Sequence, residues 1–305
     1  MHPDVTILSN VSLSPFRRGP FGTQRYHATA SVGPIEALGP LLISSRAHYP
    51  LRQPGRPLTT AEIPGQSLWG GVFYAHFGHF ITEFLPKLLS LQSLANRYPD
   101  AQILTLPAPD ALPGPLPAHV LWFLSNLGID PARLVLCSAA SRIEQLLVAP
   151  TPFAGRFRYH PRLLPLIDAA PWAQVAATGD RLFLSRSQLS AKARVLNIAE
   201  IEQTYADAGY RVIHPEALSL NDQIAQICGA RAIAGENGSA LHWALYSRHL
   251  RQVHALGWAL ELQKGIALLR GQTCQSLRAP LTGWLQARQQ SVPIAVVRRA
   301  LQGDP

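Results

Sequence analysis

The sequence predicts an α/β protein, and three observations carry that expectation. Short apolar runs alternate with helical-period stretches along both halves of the chain, the pattern of strands joined by crossover helices. Between Arg181 and Leu256 the alternation reads as β-α-β-α-β-loop-α-β, a Rossmann-like parallel sheet. At 305 residues, 47% hydrophobic and only 15% charged, the chain can bury two cores of ordinary size and is no disordered polymer.

Taken in order, residues 1–64 are rich in Pro, Gly and Arg, and Val5–Leu8 and Leu41–Ile43 read as short strands between loops. The stretch from Gly70 to Leu88 is the most patterned of the chain. At helical period Phe73, Phe77, Phe80, Phe84 and Leu88 form one stripe, which predicts a core-facing helix running on through Leu91 and Leu94. His76, His79 and Glu83 recur on another face of the same helix. Pro86 lacks the amide that would bond the Thr82 carbonyl, so the helix should kink or restart there. Gly78, which costs about 1 kcal/mol relative to Ala in a helix interior, suggests that something packs close to the backbone.

Ile103–Leu106 reads as a buried strand, and residues 107–117 have turn chemistry. A helix over Ala118–Leu127 stops at Gly128, and Arg133–Leu136 and Ile143–Val148 read as two more strands. Residues 150–171 carry Pro and Arg around a helical Arg162–Ala169, the expected hinge. The domain plan is therefore 1–155 for a first α/β domain, 156–178 for a linker, 179–275 for a Rossmann-like domain and 276–305 for a helical segment.

In the second half, Arg181–Leu184 is a strand ending in Ser185-Arg186. Asn197 with Glu200 has the spacing of a helix N-cap and its partner, and that helix ends at Gly209. Tyr210–Ile213 is the next strand, and Ser219 with Asp222 repeats the capping arrangement. Ala232–Ala234 is a strand, Gly235-Glu236-Asn237-Gly238-Ser239 a tight loop, Ala240–Tyr246 a helix and Val253–Leu256 a strand. Leu260–Leu269 and Trp284–Leu301 read as helices, the second interrupted by Pro293.

The excess of 27 Lys and Arg over 18 Asp and Glu favours anionic partners: polyanions, anionic lipid surfaces or phosphorylated small molecules. Nucleic acid ranks last among these, because no recognisable binding motif is present. Cys137, Cys228 and Cys274 lie far apart without a CxxC pair, which argues against a disulfide framework or zinc ribbon. No apolar run approaches the ~20 residues of a membrane span and no secretory leader pattern opens the chain, so the expected location is cytoplasmic.

Two imidazoles and a carboxylate beside an apolar anchor, His76, His79 and Glu83, make a candidate acid/base site. The competing reading is an ordinary solvated helix face. A zinc site is the weaker alternative, since the spacing is not His-Glu-x-x-His and no cysteine lies near. Arg186, Lys192 and Arg194 follow a strand and could hold a phosphate, with a solvated basic loop as the alternative. Residues 235–239 lie where a sheet presents ligands, and glycines with free amides at a helix start would suit a phosphate. Asn237, Gly238, Ser239 and His242 are candidates there, against a plain βα turn. There is no Asp-x-Asp motif for a divalent ion.

Two segments also resemble a known family. The Gly70-Gly71 start, His76-Phe77-Gly78-His79-Phe80, Glu83 and Leu85-Pro86-Lys87-Leu88 look like the N-terminal motif of glycosyltransferase family 61, in its bacterial polysaccharide branch. Leu184-Ser185-Arg186, Arg194, Leu196-Asn197, Gly209-Tyr210-Arg211-Val212, Pro215-Glu216, Leu218-Ser219-Leu220, Gln223-Ile224 and Gly235 with Gly238-Ser239 and Leu241 follow its C-terminal signature. The resemblance implies a GT-B fold, two Rossmann-like domains facing across a cleft. It also implies an inverting, metal-independent transferase with a nucleotide-sugar donor and no cofactor. Arg186 and Arg194 would then hold the donor diphosphate, with Gly238 and Ser239 lining the pocket. His79 and Glu83 would lie on the acceptor side, with Glu83 as base and His79 orienting it, or the reverse. The sequence departs from the family at Asn237, where His is common, and at Lys87, where Arg is usual. The expected function is sugar transfer to a glycan or lipid-linked acceptor in bacterial surface polysaccharide (capsule) assembly, with possible peripheral membrane association. The alternative is a non-catalytic sugar- or nucleotide-binding module.

Overall fold

The structure, a computed structural model, describes residues 5–14, 17–18, 26–31, 51–52, 61–108, 114–155, 157–189, 195–257, 261–278 and 291–303. The chain divides into two compact units, Met1–Leu166 and Ile167–Pro305. Each is a mixed arrangement of helices around a sheet with parallel strands, as expected of an α/β protein.

In the first unit, β1 (Thr6–Leu13), β2 (Arg17–Arg18), β3 (Tyr26–Ser31), β4 (Leu51–Arg52), β5 (Ala61–Phe73), β6 (Gln102–Pro107), β7 (Leu134–Leu136) and β8 (Ser141–Val148) share one sheet. Its order is β2-β3-β1-β8-β5-β6-β7, with β4 on β3. β8, β5, β6 and β7 run parallel, while β1 is antiparallel to β8. Ile103, Leu104, Thr105 and Leu106 of β6 are all buried, as a strand covered on both faces should be. The chain leaves β5 for β6 and β7 in one direction and later returns to β8 on the other side of β5. Such a reversal opens a crevice at the carboxyl ends of the strands, where α/β sheets take ligands.

A helical run, α1, follows β5: α-helical over Phe77–His79, π-helical over Phe80–Phe84 and α-helical again over Leu85–Arg97. The expected aromatic stripe needs one correction. Phe73 ends β5 and is not helical, although its ring still meets Phe84 edge-on at 5.2 Å. α2 (Ala118–Asn126) ends as anticipated, with Gly128 in the left-handed region at φ 67°. β9 (Phe153–Gly155) and β10 (Arg158–Tyr159) pair as a small hairpin. Leu41–Ile43 lies outside the described residues.

The second unit contains α3 (Leu163–Ala169) in part and then β11 (Arg181–Leu184), α4 (Ile198–Asp207), β12 (Arg211–Ile213), α5 (Leu220–Gln223, continued as a π-helix over Ile224–Cys228), β13 (Ala232–Glu236), β14 (Gln252–Leu256), α6 (Glu261–Arg270), β15 (Thr273–Leu277) and α7 (Ile294–Gln302). Among the described residues its five strands are all parallel, in the order β12-β11-β13-β14-β15. The order reverses between β11 and β13, so this sheet too has a switch point at those two carboxyl ends. One core face packs Phe183, Ile201, Tyr205, Ala234, Leu256, Val297 and Ala300, which holds α4 and α7 on the same side.

Several local expectations change. The Asn197 side chain does not cap α4; it exchanges hydrogen bonds with the backbone of Val292, at 2.9 and 3.0 Å. Ser219 does cap α5, accepting from the Asp222 amide at 3.1 Å. The helix expected at Ala240–Tyr246 is a 3₁₀ helix over Ser239–Leu245, and Gly235 and Glu236 belong to β13. β15 fills a stretch read as connection, and α7 starts after Pro293.

Candidate functional site

The candidate chemistry of the first unit is gathered where β5 gives way to α1. Gly70 is required because a Cβ there would lie 2.6 Å from Thr105 Cγ2 and 3.0 Å from Ile103 Cγ2 on β6. Gly71 adopts φ 81°, at a register shift between Trp69 and Gly71; a Cβ there would meet the Lys87 stem at an ordinary 3.7 to 3.8 Å, so it is the positive φ that favours glycine. Pro86 has the effect expected of it. The Thr82 carbonyl, deprived of the amide one turn on, accepts from the Tyr159 hydroxyl at 3.0 Å. The preceding turn widens, with the Leu85 amide reaching back to the Phe80 carbonyl, and such π-turns recur at functional sites.

This winding grades the three predicted side chains by depth. His76 is exposed at the helix start, His79 is half-buried, and Glu83 is 2% exposed. Glu83 therefore does not lie on a solvated face. The His79 ring stacks on Tyr74 at 5.2 Å and meets His76 edge-on at 5.6 Å. Lys87 is buried with it, its Nζ 5.8 Å above the Phe153 ring. Burial pushes the Lys87 ammonium down to about 8, with the Glu83 carboxylate acting in the opposite direction.

His119, at the start of α2, belongs to the same neighbourhood. Its ring stands edge-on to Phe77 at 5.4 Å and Phe80 at 5.2 Å. Burial foremost, then the charge of His76, holds it down at about 4 against the Ala75 backbone hydrogen bond, so it is neutral near pH 7.

In the second unit, the residues after β11 and β13 meet at the switch point. Ser185 is fully buried and donates to Glu202 of α4, while accepting from the Ser187 amide at 3.0 Å. Arg186 follows, with Gly238 beside it: a Cβ at 238 would stand 2.9 Å from Arg186 Nη1. Glu236 is 4% exposed, with Oε2 4.0 Å from Arg186 Nε and Oε1 accepting from the Val195 amide at 2.8 Å. Arg186, Gly238 and neighbouring Ser239 are thus brought together. Lys192 and Arg194 lie outside the described residues.

Two expectations for this loop are revised. The Asn237 amide extends the sheet by bonding the Leu256 carbonyl at 2.9 Å. His242 is buried rather than open, and its Nδ1 accepts from Gln263 Nε2 at 2.7 Å. The seven-residue 3₁₀ helix offers little dipole, so the case for an anion rests on Arg186.

Sequence reasoning passed over Lys87, His119, Tyr159 and Glu236. Lys87 and Glu236 stand inside the motifs, and the signal the sequence offers is the spacing of a lysine four residues after Glu83 within an otherwise apolar stretch. The three cysteines are not nucleophiles: burial raises Cys137 and Cys274 to about 11 and Cys228 to about 12, so each stays a thiol. Among the described residues no cluster of three or more His, Cys, Asp or Glu side chains could hold a metal ion.

A family model described as Glycosyltransferase 61 matches residues 77–253, more than half of the chain. The chain belongs to glycosyltransferase family 61. Its match opens on the first residue of α1 and closes within β14, so it takes in His79, Glu83, Arg186 and the β13 loop and leaves out His76. No curated protein matches the chain. Family 61 membership makes this a glycosyltransferase, with a nucleotide-sugar donor and a glycan acceptor as its general substrate classes.

Proposed function

We propose that this family 61 protein is an inverting transferase that moves a sugar from a nucleotide-sugar to a glycan or lipid-linked acceptor of bacterial surface polysaccharide. In a single displacement the acceptor oxygen forms its bond to the anomeric carbon as the bond from that carbon to the diphosphate breaks. The hydroxyl proton passes to Glu83, with His79 orienting the carboxylate, and the nucleoside diphosphate leaves with the electron pair. Arg186 meets the charge that develops on the leaving group, with Lys192 and Arg194 as further cations, so the scheme needs no divalent ion.

The observation that carries this reading is the place of Arg186 at the reversal of a five-stranded parallel sheet, beside the bare backbone of Gly238. The first unit supports the acceptor side through a buried carboxylate and two imidazoles at a second strand-end crevice. A GT-B arrangement, with acceptor and donor on opposite units, accords with two such sheets in a family 61 chain. The +9 charge favours work at an anionic membrane surface on the cytoplasmic side. Among the described residues no helix is long and apolar enough to cross a membrane.

The test is a donor screen by thermal shift with UDP-, GDP-, CMP- and TDP-sugars, followed by proton NMR of the product. One of the three nucleoside-diphosphate sugars should raise the melting temperature, the CMP-sugar, with its single phosphate, should not, and the product should carry the opposite anomeric configuration to the donor. A chain that no nucleotide-sugar stabilises, or a product of retained configuration, contradicts the proposal.

A further inference from the structure

We infer that Glu236 is a positioning residue for Arg186, fixing how the guanidinium is presented to a diphosphate. This rests on the proposed role of Arg186 and assigns a residue that neither the family match nor the motif reading singles out.

Glu236 ends β13 on the face that carries Ala232 and Ala234, towards α4. Its two oxygens are divided between two tasks. Oε1 takes the Val195 amide at 2.8 Å, tying the strand end to the chain that leads into α4. Oε2 stands 4.0 Å from Arg186 Nε, and a Cβ at Gly238 would come within 2.9 Å of Nη1. The arginine side chain keeps only 15% of its surface exposed. Its root is also held, because Ser185 is bonded to Glu202.

The Val195 amide gives this carboxylate one partner, and its charge beside the proposed anion site still calls for a role. Its own charge repels a diphosphate, and burying it is costly unless it is paired. Both objections vanish if it works through the arginine, because an oriented guanidinium binds phosphate oxygens in a fork that a loose one cannot hold. The two possibilities differ in sign. Neutralising a mere counter-charge would tighten diphosphate binding, whereas releasing a positioned arginine would weaken it.

The experiment is calorimetric titration of the full chain with UDP, GDP, CDP and TDP and their monophosphates, for wild type, Glu236→Gln, Arg186→Ala and the double variant. For the diphosphate that wild type binds best, Glu236→Gln should lower affinity about ten-fold, with the monophosphate changed less than about two-fold. The double variant should bind no more weakly than Arg186→Ala alone. Unchanged or tighter diphosphate binding in Glu236→Gln overturns the inference, as do losses that multiply in the double variant. If Glu236→Gln fails to fold, Glu236→Asp keeps the charge and withdraws it by one methylene. It should also weaken the diphosphate, and wild-type affinity there overturns the inference. Arg186→Ala with unaltered diphosphate affinity would remove the underlying donor reading, an outcome separable from failure of Glu236 alone.

Discussion

The Tyr159 hydroxyl donates to the Thr82 carbonyl across 3.0 Å, and that carbonyl is the one whose donor one turn on is missing because residue 86 is proline. A defect written into α1 is thus met by the β9–β10 hairpin. The two elements are bound in the turn that buries Glu83.

Tyr159→Phe should therefore cost about 1–3 kcal/mol, because it strands a fully buried carbonyl. Pro86→Ala supplies an amide in its place, so the same tyrosine change should cost less in that background. Urea unfolding of the four proteins in the cycle measures the difference, and equal costs in both backgrounds would show that the carbonyl does not link them.

Lys87 gives the stability a basic-side signature. Its folded value of about 8 lies below the 10.5 of the unfolded chain, so the unfolded state holds more protons between those values. Stability should rise with pH from about 8 to 10.5, relative to Lys87→Met, by on the order of 3 kcal/mol. In Glu83→Gln the ammonium loses the opposing carboxylate, so the rise should begin at lower pH. Urea unfolding across pH 6 to 11 checks both, on the order of half-unit steps; coincident curves for all three proteins would refute the pairing.

His119 acts at the acid end. Its folded value of about 4 lies below the unfolded 6.5, so its contribution is present above 6.5 and is lost as pH falls through the interval to 4. The ring is partly exposed, which softens the effect. His119→Phe should melt with a flatter pH dependence over that interval. An unchanged slope in differential scanning calorimetry would contradict the assignment.

The sequence carried most of what local chemistry decides. The parallel strands from β11 to β14, the Gly128 stop and the Ser219 cap depend on neighbours in the chain and were legible. The misreadings involve distant partners. Phe73 continues a helical stripe by coincidence, since a strand end and a helix can share an apolar spacing. Asn197 has the spacing of a cap, but it is engaged by Val292, 95 residues away. β15 has a half-polar pattern, weak for a strand at a sheet edge. Glu236 looked like a turn residue because its partners, Arg186 and the Val195 amide, reach it only through the sheet order. In the first unit the graded burial of His76, His79 and Glu83 follows from a π-turn, which periodicity at 3.6 residues does not describe.

The proposed division of labour between Glu83 and Arg186 is tested most directly by one paired measurement: donor affinity and single-turnover rate for Glu83→Gln and Arg186→Ala, with the nucleotide-sugar found in the screen. Arg186→Ala should weaken donor binding at least about ten-fold, while Glu83→Gln should bind donor normally and lose about a hundred-fold or more in transfer rate. Arg186→Ala with undiminished donor affinity, or Glu83→Gln turning over at the wild-type rate, would contradict it.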